Sequence, residues 1–207
     1  MRYLLYIFIL IPNLSFSFID PDKKAFSLLN SMSDNYKKMK GFSTTFTYSM
    51  INLSENISDS FKGKIFIKGD KYVLDIEGQK IINDAKTSWT YMDDLNEVTV
   101  SDFDPSEQDI SLNNIFEIYK DGFDYKYIGE VDGLSIIELY PQDDSKNYYK
   151  IILNIDLNNY LRSFSVFDNT KSKYVYTINE FVEEELDNTF FTFDVTLYPD
   201  IEVIDFR

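Results

Sequence analysis

Apolar positions along the chain first change their period at Gly41. Before it, Ala25, Leu28, Leu29, Met32, Tyr36 and Met39 recur at helical spacing. Asp20-Pro21 is a helix start, with a capping side chain followed by proline at the first helical position. Gly41 supplies the stop, and lysines gather toward the end, where the helix dipole favours them. One amphipathic helix is predicted here.

Beyond Gly41 the period is two. Phe42, Thr44, Phe46, Tyr48 and Met50 fall on one face, against Ser43, Thr45, Thr47 and Ser49. Phe61, Gly63, Ile65 and Ile67 alternate with lysines, and Gly69-Asp70 turns the chain into a strand from Lys71 to Glu77. In that strand Tyr72, Leu74 and Ile76 share a face. Ser88 to Met92 and Asn96 to Ser101 read as a hairpin turning at Asp93-Asp94. The alternation then breaks once: Ser111 caps a short helix carrying Leu112, Ile115, Phe116 and Tyr119, ended near Asp121-Gly122. Strands resume at Tyr125–Val131, Ser135–Tyr140, Tyr148–Asp156, Leu161–Asp168, Tyr174–Phe181 and Thr189–Val195, before a tail to Arg207. Many short strands and few helices predict a single large curved antiparallel sheet or a barrel, with helices filling or lidding an apolar concave side.

The first residues carry a different signal. Arg2, an apolar run from Tyr3 to Ile11, the Pro12-Asn13 break and Ser15-Phe16-Ser17 read as a cleavable export sequence. Residues 1–17 are therefore expected to be a signal peptide and 18–207 one domain, with Phe18 the first mature residue. The apolar run is shorter than the roughly 20 residues that span a bilayer. The chain has no cysteine, so no disulfide can hold it, and the attachment point of a bacterial lipid anchor is missing.

Composition narrows the function by exclusion. A net charge of -15 repels phosphate backbones, which argues against nucleic acid. Without histidine or cysteine, Ser-His-Asp and Cys-His catalysis and nearly all zinc chemistry are removed, and no glycine-rich phosphate loop is present. Neither an enzyme nor a cofactor is expected. Asp102, Asp104, Glu107 and Asp109 raise a calcium question, but they lack the central glycine and spacing of an EF-hand loop and read as a solvated acidic turn. Asn52 and Asn56 each open an Asn-x-Ser triplet, relevant only in a eukaryotic secretory pathway. The positive signal is aromatic: 17% Phe, Trp and Tyr, with sixteen tyrosines, more than a thin sheet needs for its own core and fitting a large apolar guest.

The ordered series of segments resembles the LolA family of outer-membrane lipoprotein carriers. An N-terminal helix leads to Phe42 and Phe46, then Gly63-Lys64-Ile65-Phe66-Ile67-Lys68. Asp84-Ala85-Lys86-Thr87-Ser88-Trp89-Thr90-Tyr91 is similar to the family's Asp-Gly-Lys-x-x-Trp-x-Tyr segment, and Glu97 to Val100 follows as its next strand does. Phe191-Thr192-Phe193, Pro199 and Val203 to Arg207 match the terminal pattern. The resemblance implies a mainly β fold with a few α-helices: an unclosed antiparallel half-barrel whose apolar concave face is lidded by helices. It implies a monomeric periplasmic chaperone that takes the acyl chains of lipoproteins from an inner-membrane ABC transporter and passes them to an outer-membrane acceptor. No cofactor, metal or covalent step is involved.

On that basis the acyl-chain cavity is expected to be lined by Phe46, Tyr48, Ile65, Tyr72, Leu74, Trp89 and Tyr91, with Leu112, Ile115 and Phe116 as lid residues. Three positions depart from the family. Lys68-Gly69-Asp70 stands where members often have Lys-Arg-Pro, so the arginine that ties their lid is absent; Ala85 replaces a turn glycine; Tyr48 replaces a common glutamine. Two other readings keep the fold: a lipid-sensing regulatory domain, and a structural exported β-protein whose concavity is filled by its own side chains.

Overall fold

The computed structural model describes residues 21–52, 55, 57–105 and 110–207. The predicted helix is present as α1 (Pro21–Lys37). Twelve strands follow: β1 (Phe42–Asn52), β2 (Ile57–Lys68), β3 (Lys71–Ile76), β4 (Gln79–Asn83), β5 (Thr87–Met92), β6 (Glu97–Asp102), β7 (Phe123–Val131), β8 (Leu134–Pro141), β9 (Tyr148–Asp156), β10 (Leu161–Asp168), β11 (Ser172–Glu183) and β12 (Glu202–Asp205). They form one unclosed sheet in the order β12-β6-β5-β4-β3-β2-β1-β11-β10-β9-β8-β7.

Two meanders make up this sheet. Strands β1–β6 and β7–β11 each run antiparallel through successive neighbours, and β1 pairs with β11 along its whole length, from Phe42 opposite Glu183 to Asn52 opposite Ser172. β12 returns to lie parallel to β6. The turns are specified locally. Gly69 and Gly78 take left-handed φ values of 57° and 76°, where a side chain would be strained. Asp132-Gly133 has positive φ at both positions, the pairing that matches the twist of a two-residue hairpin.

Because the side-chain period in a strand is two, register decides which residues meet. Tyr127, Ile137, Leu153, Phe164, Tyr176 and Tyr48 form a continuous row across β7, β8, β9, β10, β11 and β1. This apolar face is the concave one, and α1 packs onto it beside β7 with Ala25, Leu29 and Met32 fully buried.

Three expectations about elements are corrected. β4 is an additional strand; its polar Gln79-Lys80 start and consecutive Ile81-Ile82 hide the alternation. The segment from Ser111 is not an α-helix but a series of turns ending in the 3-10 helix Ile118–Lys120. There the Ser111 N–H donates to Asn114 Oδ1 at 3.0 Å and its carbonyl accepts from the Asn114 and Ile115 N–H groups, so the expected cap forms, but the turns after it do not continue as an α-helix. Thr189–Val195 is not a strand either. Asp187 and Asp194 accept the backbone N–H groups of Thr189 and Thr196, winding the chain into short 3-10 turns at Asn188–Phe191 and Val195–Leu197. The export segment, Asp20, Asn56, Glu107 and Asp109 lie outside the described residues. Asn52 is buried and donates to Ser172 Oγ at 3.0 Å, so it fastens the β1–β11 edge.

Candidate functional site: the concave face

The concave face differs between its two ends. At the end where α1 finishes, it is tightly closed. Tyr36 there packs against Phe116 (ring centroids 3.8 Å apart), Phe42 (5.2 Å) and Phe181 (5.7 Å). The Tyr36 hydroxyl accepts the Leu161 backbone N–H at 3.3 Å, and burial raises its pKa far above the ordinary phenol value. At the other end the same face opens into half-buried aromatics. Tyr48 lies 4.7 Å from the exposed Phe61 and 4.9 Å from Tyr176, and Tyr176 stacks on Phe164 at 4.4 Å. Phe123 stacks on Tyr148, Phe26 of α1 on Tyr125, and Lys24 lies 3.8 Å above the Tyr127 ring. Rings such as these offer large apolar area with few rotamers to freeze.

A cover closes the face. It consists of α1 and the turns from Ile110 to Lys120, which bring Leu112, Ile115, Phe116 and Tyr119 into the core. The two parts are fastened to each other. Tyr119 donates to Asn30 Oδ1 at 2.7 Å, and Glu117 pairs with Lys37 at 2.7 Å and Lys120 at 2.8 Å. Burial works to raise the Glu117 pKa, but its bonds to Lys120 and Lys37 hold the carboxyl below its usual range. Gly69, where the family's arginine is expected, sits in a left-handed hairpin turn. The preceding Lys68 points to the opposite face and donates to the Leu186 carbonyl at 2.5 Å.

Of the expected lining residues, the structure brings most together. Phe46, Ile65, Tyr72, Leu112, Ile115 and Phe116 are buried in the concave cluster, and Tyr48 and Leu74 pack against it. Trp89 and Tyr91 do not join them, and their assignment to the cavity is corrected. Both point to the opposite face, because register places Ser88, Thr90 and Met92 of β5 on the concave side. There Trp89 and Tyr91 pack against a second cluster of Val73, Ile82, Val98, Leu186, Phe191 and Phe193. This cluster lies beneath a C-terminal strap, residues 184–201, with Tyr91 4.7 Å from Tyr198 and Phe193 stacked on the same ring. Sequence alternation identified each strand's aromatic face, but the strap makes that face the outer one in β5. Tyr125, Tyr127, Tyr148, Tyr174 and Tyr176 also lie at the open end of the concave face; alternation places them in strands, and the aromatic surplus is what signals them in the sequence.

Much of the concave face is packed with side chains of the protein itself, Leu29, Met32, Ile65, Leu112 and Ile115 among them. Two open depressions, of about 620 and 400 Å³, are present among the described residues, one lined by Thr45, Phe46, Thr47, Lys62, Gly63 and Asn179 and one by residues that include Tyr149, Phe167 and Lys173. Among the described residues, no three acidic side chains converge as a metal site. The arrangement offers an apolar face beneath a cover of α1 and the turns from Ile110 to Lys120, with half-buried rings at one end.

An open sheet with a covered apolar trough defines a carrier or binding architecture. The chain belongs to the LolA family: the model for the outer membrane lipoprotein carrier protein LolA matches residues 37–194. That family is one of carriers and binding proteins. No curated protein sequence matches the chain. Among solved structures it is similar to an uncharacterized conserved protein from Thermus thermophilus (TM-score 0.60, 12% identity, covering 88% of this chain and 99% of that one). A DUF1329 family protein from Desulfovibrio piger is similar at TM-score 0.51 and 15% identity, covering 84% and 98%. A LolA superfamily protein from Nitrosomonas europaea follows at TM-score 0.49 and 13% identity, covering 82% and 98%.

Proposed function

We propose that this protein is an exported carrier that shields the acyl chains of lipoproteins between the inner and outer membranes. In this reading residues 1–17 are a cleaved signal peptide, and 18–207 form one monomeric domain that works in the periplasm. An inner-membrane ABC transporter loads it and an outer-membrane acceptor unloads it. The observation that carries the reading is the continuous apolar concave face, closed at one end and aromatic and half-exposed at the other. Each acyl methylene withdrawn from water contributes about 0.8 kcal/mol, so a trough that swaps side-chain contacts for acyl contacts can take up a chain that water rejects.

Phe46, Tyr48, Ile65, Tyr72 and Leu74 form the sheet side of the proposed site, and Leu112, Ile115 and Phe116 the side that must lift. The full burial of Leu29, Met32 and Ile115 also favours a second reading, a structural β-protein with a permanently filled interior. Native mass spectrometry of the protein purified from its host's membranes separates them. Triacylated proteins dissociating as one-to-one complexes support the carrier. Free lipids alone point to a lipid sensor, and an empty mass under gentle conditions points to the structural protein.

A further inference from the structure

Among the described residues, one buried side-chain polar atom on the concave face has no partner. Asn83 of β4 is fully buried, and its Oδ1 accepts the Ala85 backbone N–H at 2.8 Å. That bond fixes which end of the amide is which, since a flipped amide would set two donors against each other. The remaining donor, Nδ2, is buried and has no hydrogen-bond partner among the described residues. Buried donors without an acceptor are few in native proteins, and each asks for a physical explanation.

Its surroundings point to what that partner is. Asn83 sits in a row between Tyr72 and Ser88, and Ser88 is followed by Ser101. In the adjacent row Ile81 is followed by Thr90 and Thr99. The trough therefore changes chemistry across the sheet. Ile65, Ile67, Tyr72 and Leu74 present hydrocarbon and rings, whereas the concave side of β5 and β6 presents half-buried hydroxyls.

We infer that the concave face takes an amphiphile whose acyl chain lies over β1–β3 and whose ester or amide carbonyl is held against β4–β6, accepting a hydrogen bond from Asn83 Nδ2. This rests on the acyl-carrier reading and adds which part of the ligand is recognised. A bare hydrocarbon leaves Nδ2 unbonded; a carbonyl satisfies it. Recognition then falls on the linkage common to acylated molecules, so that the group beyond it is free to vary.

The test uses two ligands of equal length, dioctanoylglycerol and its dioctyl ether, competing against a fluorescent fatty-acyl probe on the full chain. The ester is expected to bind about ten-fold more tightly, the size of one well-placed hydrogen bond. It is also expected to shift the Asn83 side-chain amide resonances, which the ether leaves in place. Asn83→Asp keeps the acceptor for Ala85 and removes the donor, and it abolishes the preference. Ser88→Val/Thr90→Val, which leaves the turn intact, reduces it. Equal binding of both ligands, or equal shifts at Asn83, overturns the inference and leaves the carrier reading standing. Binding of neither ligand overturns both.

Discussion

Two residues show how local geometry sets the concave layer. Gly63 stands opposite Phe46 across the β1–β2 pair, and a Cβ built at Gly63 would lie 2.6 Å from Phe46 Cζ and 2.8 Å from Ile76 Cγ2. The ring therefore lies across β2 in the space that the glycine leaves. Gly63→Ala is expected to lower stability by about 1–3 kcal/mol through overpacking, read from urea unfolding. An unchanged midpoint would mean that Phe46 relocates freely. Ala85 is the opposite case, a side chain at φ 74° where the family has glycine. Asn83 and Asp84 brace that turn by accepting the N–H groups of Ala85, Lys86 and Thr87. Ala85→Gly relieves the left-handed strain and is expected to raise stability by about 1 kcal/mol in the same assay, the unfolded chain's greater freedom offsetting part of the gain. Both positions were visible as letters. What was not visible was which ring fills the gap at Gly63.

At the scale of elements, the cover and the strap behave differently. The cover is joined to itself through Glu117, whose folded-state carboxyl is held below its ordinary value of 4.5 by Lys120 and Lys37, against the opposing effect of burial. A depressed carboxyl stabilises the folded state at pH above that ordinary value, and the contribution is lost as pH falls through the lowered one. Wild type is therefore expected to exceed Glu117→Gln in urea midpoint at neutral pH, with the gap closing as pH drops below 4.5. A gap that persists in acid would assign the effect to packing rather than to charge. Period alone located α1 and most of the strands, because Ala25-Leu29-Met32-Tyr36 and Phe42-Phe46-Tyr48 each fit one template. It misjudged the cover and the strap. In the strap, the side chains of Asp187 and Asp194 take backbone N–H groups that a strand would use; in the cover, Asn114 caps the Ser111 N–H but the chain turns on without an α-helix. Face was the other missing quantity: Trp89 and Tyr91 alternate correctly, but only tertiary pairing says which side the strap covers.

For the whole molecule, the two clusters on opposite faces make the lone tryptophan a reporter. Trp89 belongs to the strap side, separated by the sheet from Phe46, Tyr72 and Ile115. Loading the trough with an acyl ligand is expected to leave its emission maximum in place. Phe193→Ala, which thins the strap cluster, is expected to shift that maximum to the red. A ligand-induced shift at Trp89 would place the ligand, or its effects, under the strap instead.

The pairing of β1 with β11 also has a consequence for the nascent chain. β1 carries no charged residue in Phe42–Asn52 and is rich in aromatic and β-branched residues, the composition of a segment that stacks with copies of itself. Its neighbour on one side, β2, is synthesised soon after it, but the other edge stays open until Ser172–Glu183 emerges. For most of synthesis, then, the segment most able to aggregate is also an unpaired edge. The lysines of β2, Lys62, Lys64 and Lys68, stand beside it throughout that interval and set charge against wrong partners. A chain that stalls before residue 172 exposes this edge permanently, so its hazard is self-association rather than simple loss of binding.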